Sequence, residues 1–538
     1  MKGRFFLCGS VKYLDVLRHQ NTIPDILFAV TGGMAVLLDH QQKADMKKCL
    51  KIPIFLVLLV VSTAGYAGGG DTIHLTMSDV IRLAQESSPQ AVQARNTFES
   101  AWLSYRSFKA EMLPTLSLSS SPSLNRSTNY VTLPDGSEHY ARTNSMRNNL
   151  SLDLTQNVWF TGGTISLSGS LSRLDQLGSN PSHTYFAQPL QLSFSQSLNG
   201  YNSYRWSRKT EPIEYRMARK QYAETMELVA SQAASVFFGL VSAQTDLEIA
   251  RLNYAAVDTL YTYGLGRYNI GTITENELLQ LELNRLNGET SIINSQMSYD
   301  DAQDQLRNFL NLSSDTRIEV ITDDSIPHFS VPLEQAMELA RKNSPDIESM
   351  ELSRLNSESN LAYYKSQAGF KASVYLSLGL AQTADELPES FRNLNDEQSV
   401  RVTVSIPILD WGRAKGRVRI AQNNLQLTQL RIEQNEVNFE KTVTRTVAQF
   451  NLQERQVDIA RRAMQTAQHR YEVARHLYMN GNSTILDLNT AITSKDSAYR
   501  GYVSALSRYW QLYYTIRSLT AYDFMNNELI EQQIEYGY

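Results

Sequence analysis

The side chains best spaced to share a metal ion are His469 and His476, one heptad apart on a helical pattern. Two helical turns set them about 10 Å apart, too far for one ion without further ligands, and no cysteine or carboxylate cluster joins them. They read as solvated surface, and no metal site is expected. Gly264-Leu-Gly266 supplies half of a dinucleotide-binding turn, but it follows a helical pattern where that motif needs a strand, so it is expected to be a hairpin tip. No HExxH, GxSxG or GxxxxGK[ST] is present to provide metal, nucleophile or phosphate cradle. The chain therefore reads as a non-enzyme without a cofactor. Two acids remain, Glu277 and Asp487, 210 positions apart, following Tyr268-Asn-Ile-Gly271 and Tyr478-Met-Asn-Gly481. A glycine that stops one helix and an acid in the first turn of the next mark a hairpin turn, with the carboxylate at the positive helix end.

The elements that carry these turns must be long. Of 14 prolines, none lies between Pro212 and Pro327 and none after Pro407. Arg417–Asn480 is 64 residues without glycine or proline, which as one helix would run about 95 Å. Val443, Phe450, Val457, Met464, Tyr471 and Tyr478 recur every seven residues, and Ala460, Ala467 and Ala474 let helices approach closely. The same register appears 210 residues earlier at Leu240, Leu247, Tyr254, Tyr261 and Tyr268, so the chain reads as two copies of one unit. LAQESSPQ (83–90) matches LARKNSPD (339–346) at an offset of 256, which puts a 46-residue insertion in the first copy, between Pro89 and Leu198.

Within each copy the period changes to two. Val374, Leu376, Leu378 and Leu380 alternate with small or polar residues, as do Val400–Ile408, Leu150–Val158 and Leu190–Phe194. Thr164–Arg173 suggests an extra hairpin. Strands of about ten residues, apolar on one face and polar on the other, suit a membrane barrel or a soluble sandwich equally. The balance is tipped by residues 46–67, which have a basic start (Lys47, Lys48, Lys51), an apolar run Ile52–Val61 too short to span a bilayer, and small Gly65 and Ala67 at the cleavage positions of a secretory signal. Residues 1–45 then read as an upstream extension from a misassigned start. Cys8 and Cys49, the only cysteines, both precede the cut. With 50 basic against 55 acidic side chains there is no electrostatic case for nucleic acid, and 42% hydrophobic content excludes a disordered chain. Trp159, Phe160 and Trp411 sit at strand ends, where an interfacial aromatic belt would place them. Four to six strands cannot close a pore, so protomers must share one barrel.

These segments resemble the TolC-type outer membrane efflux protein family over essentially the whole mature chain. The residues that carry the resemblance are the paired LAxxxSP openings, the strand-to-helix passages QSLNGYNSYRW (196–206) and SIPILDWGRAKGRV (405–418), and the tips YNIGTITENELL and YMNGNSTILDLN. The resemblance implies an α+β membrane protein. The implied molecule is a homotrimer whose shared transmembrane β-barrel would continue into a long periplasmic α-helical coiled-coil barrel, built from repeats 68–326 and 327–538 with a hairpin inserted within about 120–190. The resemblance implies an outer membrane duct that passively conducts substrates from an inner-membrane pump and a periplasmic adaptor, with outer membrane lipid around the barrel. Gly271 and Gly481 then fall at the tip turns, and Asp487 falls on an acidic ring at the periplasmic constriction, with Glu277 as its first-copy counterpart. Tyr478 matches a tyrosine that holds the tips closed, Tyr268 being its twin. Where the family often has a second acid this chain has Thr490, and where a tip arginine is common it has Ser483. A family barrel takes four strands per protomer, 12 in a trimer; that count is kept here and the extra pair left unplaced.

Two other readings stand against the duct. A periplasmic adaptor carries one helical hairpin within compact β domains, not two copies separated by alternating strands. A coiled-coil envelope scaffold explains the heptads and leaves the strands unexplained.

Overall fold

The computed structural model describes residues 72–530 apart from 133, 179–180, 323–325 and 481. The expected signal (46–67), the upstream extension (1–45) and Gly481 lie outside the described residues. Where proline and glycine thin out, the chain forms helices of unusual length. Helix α3 (Ser203–Asn269) and helix α7 (Arg413–Met479) each have 67 residues, or about 100 Å. Each turns back into a 36-residue partner, α4 (Glu275–Leu310) and α8 (Ile485–Thr520). Helix α3 runs through Pro212 near its start, so that proline does not mark a helix end.

The LAxxxSP openings have a local cause. Ser88 ends α1 (Met77–Ser87) and caps α2 (Pro89–Glu111), its hydroxyl accepting from the Ala91 N–H at 3.1 Å. Ser344 does the same between α5 (Leu333–Asn343) and α6 (Pro345–Ala368), accepting from the Asp346 N–H at 3.1 Å. The following proline takes the first helical position, where its missing N–H costs nothing. Strands β1 (Thr72–Thr76) and β6 (Arg317–Ile321) pair in parallel.

The core is a belt partway along the long helices. Phe237 and Leu240 of α3, Val443, Phe450 and Val457 of α7, Tyr509 and Tyr513 of α8 and Ile318 of β6 are buried together. The heptad stripe of α7 is fully covered at Val457 and only half-covered at Met464, Tyr471 and Tyr478. Burial thins towards the tips.

At the opposite end from the tips stands one antiparallel sheet of six strands, in the order β2 (Thr115–Thr132), β3 (Glu138–Val158), β4 (Gly163–Gln176), β5 (Ser182–Ser197), β7 (Lys371–Ala384), β8 (Asn395–Ser405). Its register sorts the faces. Leu116, Leu154, Leu167, Leu192 and Leu378 form one row across five strands, while Ser117, Asp153, Ser168, Gln191, Gly379 and Glu397 form a row on the other face. All five leucines of the first row are exposed. On β8 the row ends at Gln398, so the apolar face is open across five of the six strands, and an open apolar face suits lipid contact.

Two expectations are corrected here. The pair left unplaced joins the sheet, to which the described residues contribute six strands where four were kept as the count. Nor is Thr164–Arg173 the insertion: adding 210 to β4 and β5 gives 373–386 and 392–407, which overlap β7 and β8. The inserted hairpin is β2–β3, at the sheet edge. Beyond Ser145, where β4 stops pairing, it runs on alone to Thr132 and Glu138. The alternation of Thr164–Arg173 is real, but it belongs to a strand that both halves possess.

Candidate functional site at the helical tips

Each hairpin turn is built from backbone geometry first. After α3 the Thr272 N–H donates to the Arg267 carbonyl and the Gly271 N–H to the Tyr268 carbonyl, both at 2.9 Å. This closure needs a left-handed residue, and Gly271 supplies it at φ +75°. After α7 the Asn482 N–H reaches the Leu477 carbonyl at the same 2.9 Å.

The two acids then start the return helices. The Thr484 hydroxyl accepts from the Asp487 N–H at 3.1 Å, and Asp487 Oδ2 accepts from the Thr484 N–H at 3.2 Å, the Thr484 hydroxyl at 2.6 Å and the Ser483 hydroxyl at 3.2 Å. Glu277 makes the corresponding box with Thr274, whose N–H reaches Glu277 Oε2 at 2.8 Å. Asp487 and Glu277 are thus capping acids. The donors of Thr484 and then Ser483 hold the Asp487 carboxyl below the ordinary carboxylate range, and it is fully exposed, so it stays charged in water. Ser483 fills a place on the carboxylate, and the exposed Thr490 hydroxyl donates to the Leu486 carbonyl of its own helix at 2.8 Å.

Tyr478 and Glu277 are brought together. Burial pushes the Tyr478 hydroxyl up, and the charges that act on it, Arg267, Glu277 and Tyr263, all belong to the other hairpin. Tyr268 is 39% exposed and takes no such place. Next to these groups an apolar cavity of about 140 Å³ lies between Leu260 and Tyr263 of α3 and Tyr471, Met479, Leu488 and Ile492 of the second hairpin. His469 and His476 are exposed.

Comparison with known proteins shows what the arrangement is similar to. Residues 336–521 match the outer membrane efflux protein model. That match spans about a third of the chain. No curated protein sequence matches the chain. Among solved structures it is similar to the Campylobacter jejuni CmeC outer membrane channel, at 15% identity over 82% of this chain and 85% of that one, TM-score 0.59. It is also similar to the Vibrio cholerae outer membrane protein VceC, at 15% over 82% and 96%, TM-score 0.58. The Neisseria gonorrhoeae MtrE outer membrane channel, solved in an open state, follows at 17% over 82% and 88%, TM-score 0.54. At these identities the likeness establishes the fold, which is that of outer membrane efflux channels.

Within this outer membrane efflux fold, Gly264 departs from expectation. It lies inside α3, short of the tip, where a Cβ would stand 2.5 Å from Leu281 Cδ1 of α4, a side chain 1% exposed. The glycine opens a notch for a helix-to-helix contact. Its partners 210 positions on, Ala474 and Ala491, divide the volume evenly between two small residues. Gly264→Val is expected to overfill the notch and destabilise the first hairpin by about 1–3 kcal/mol, and adding Leu281→Ala should recover most of it. Thermal unfolding followed by circular dichroism checks this; equal stability of Gly264→Val and the parent would show that the notch is not a fitted contact.

Sequence reasoning also missed a buried ionic knot. Arg517 of α8 lies 2.7 Å from Glu227 of α3 and 2.9 Å from Asp523, and the Tyr513 hydroxyl donates to Asp523 at 2.6 Å. Nothing in the local pattern links residues 227, 517 and 523.

Proposed function

We propose that the protein is the outer membrane exit duct of a tripartite efflux assembly, a homotrimer that passively conducts substrates delivered by an inner-membrane pump through a periplasmic adaptor. The reading rests on the six-stranded sheet, apolar on one face and polar on the other, whose edge strands β2 and β8 each lack a second partner among the described residues. In lipid an open edge is untenable, because its N–H and C=O groups find no water. Pairing β2 of one copy with β8 of the next closes the ring, and three copies of six strands make 18.

The widths support that count. Strands about 4.8 Å apart and tilted by about 40° each take about 6.3 Å of circumference, so 18 span about 113 Å. Helices packed about 9.5 Å apart, four per copy, give about 114 Å for the cylinder of 12. A sheet of 12 strands would span only about 75 Å by the same spacing. On this reading the inserted hairpin lets barrel and helical cylinder meet at matching girth, while the two halves of each chain, 68–326 and 327–538, are the repeats. The tips face the adaptor, and three copies of Asp487 form a negative collar where the cylinder narrows.

Single-channel recording in a planar bilayer tests the reading. Discrete openings are expected, blocked by divalent or trivalent cations from the tip side. Asp487→Asn keeps an acceptor for the cap and removes the charge; it and Asp487→Ala should both lose the block. The depressed carboxyl titrates below its ordinary value, so block in the parent should persist as pH falls into the ordinary carboxylate range and fade only below it. Well-folded protein that conducts nothing, even as Asp487→Ala, would overturn the duct.

A further inference from the structure

The junction between sheet and helices holds a cavity of about 520 Å³ lined by Tyr363, Tyr364, Lys371, Asp410, Arg413 and Arg417, among others. Its side of the wall follows from register. Lys371 pairs with Ser405, in line with Ser373, Thr403, Tyr375 and Arg401 on the polar face; Val374, Val402, Leu376 and Val400 occupy the apolar one. Ser405 lines the same cavity. The opening therefore lies on the face that turns away from lipid.

Its charge is lopsided. Lys371, Arg413 and Arg417 stand against one acid, Asp410, both of whose oxygens are already engaged, accepting from the Gly412 and Ala414 N–H groups at 2.9 Å. None of the three cations comes within ion-pair distance of a carboxylate among the described residues, and only Arg413 acts by charge on Asp410. Clusters of like charge cost free energy unless an anion offsets them. The aromatic side of the cavity is fixed in place: Tyr363 packs edge-on against both Tyr201 and Tyr364, at 5.4 Å between ring centroids in each case. Convergent cations beside aromatic surface, in a hollow of drug-sized volume, make a site for a small molecule with both characters.

We propose that this cavity is a way station for organic anions, binding a carboxylate, sulfonate or phosphate through Lys371, Arg413 and Arg417 and an apolar body against Tyr363 and Tyr364. It rests on the duct reading for its place in the lumen. Three such stations would ring the passage where cylinder meets barrel, favouring anionic cargo there while the acidic tips favour cations.

Naphthalene-2-sulfonate is the probe, read in two ways on the purified full-length protein. Its fluorescence in equilibrium dialysis against protein in neutral detergent reports binding without any need for conduction. Its addition on the barrel side of a planar bilayer reports block. The triple variant Lys371→Gln/Arg413→Gln/Arg417→Gln should weaken both by at least tenfold and shift the reversal potential in a salt gradient towards cations. Neutral 2-naphthol should bind the parent and the triple variant alike, and sulfate alone should compete only weakly. Unchanged dialysis binding in the triple variant would overturn the station whatever the channel does. Binding that falls tenfold in a protein that never conducts would leave the anion site standing and remove the duct instead.

Discussion

Replacing Arg517 with methionine is expected to cost about 3–5 kcal/mol, the range for removing one partner of a buried ion pair. The guanidinium sits between Glu227, 3% exposed, and Asp523, 2% exposed, and lies over the rings of Tyr513 and Tyr514 at 5.4 and 5.3 Å. Burial already pushes the Glu227 carboxyl up, and Arg517 is the largest influence opposing it. Without the cation two carboxylates face each other away from water, and Glu227 will hold a proton. A carboxyl whose folded pKa is raised withdraws stability as pH climbs through that value, so the variant should be least stable in alkali. Glu227→Leu added to Arg517→Met removes the stranded charge and should restore much of the loss, while Asp523 keeps its bonds to Tyr513 and to the Met525 and Asn526 N–H groups. Melting in detergent across pH decides it; a loss below about 1 kcal/mol would mean water reaches the knot.

Cysteines at the two sheet edges should yield a covalent trimer. Ser117 of β2 and Thr403 of β8 both lie on the polar face near the helical end of their strands. Within one chain five strand spacings of about 4.8 Å separate them, roughly 24 Å, whereas a disulfide needs Cα atoms about 5.5 Å apart. Oxidising Ser117→Cys/Thr403→Cys in the mature chain, with Ser119→Cys and Ser121→Cys as alternative registers, should give dimers and trimers on a non-reducing gel. Either cysteine alone should give none. Trimer is the heaviest species expected; a fast-migrating monomer sealed on itself, or a ladder continuing past three, would refute the shared ring.

What the sequence disclosed follows from how local each signal is. The long helices were legible because proline and glycine are absent where they run, and β7, β8 and β5 because Leu376, Val402 and Leu192 keep strict alternation. Strand β2 was not. After Leu116 and Leu118 its apolar face lapses into serine, and Pro122 argues against a strand unless that strand lies at an edge, which is where β2 is found. Gly264 misled because glycine within a helical pattern signals a turn unless one sees the side chain, Leu281, that needs the room. The acids at 277 and 487 were legible as caps, since Thr-x-x-acid is a local grammar. Glu227 was invisible as a partner of Arg517 for the opposite reason: the two are 290 residues apart and meet only after the chain has folded back, while Asp523, six residues from Arg517, lies past the helix end where no helical spacing points to it.

The inserted element is a hairpin and not a single strand, and that has an evolutionary corollary. Strand directions alternate across the sheet, so a lone added strand would deliver the chain to the wrong side of the membrane and strand every helix after it. Two strands return it to where it left. In the proposed ring, bore is accordingly quantised: a lineage could widen such a barrel only by whole excursions out and back, each multiplied at once by the number of copies.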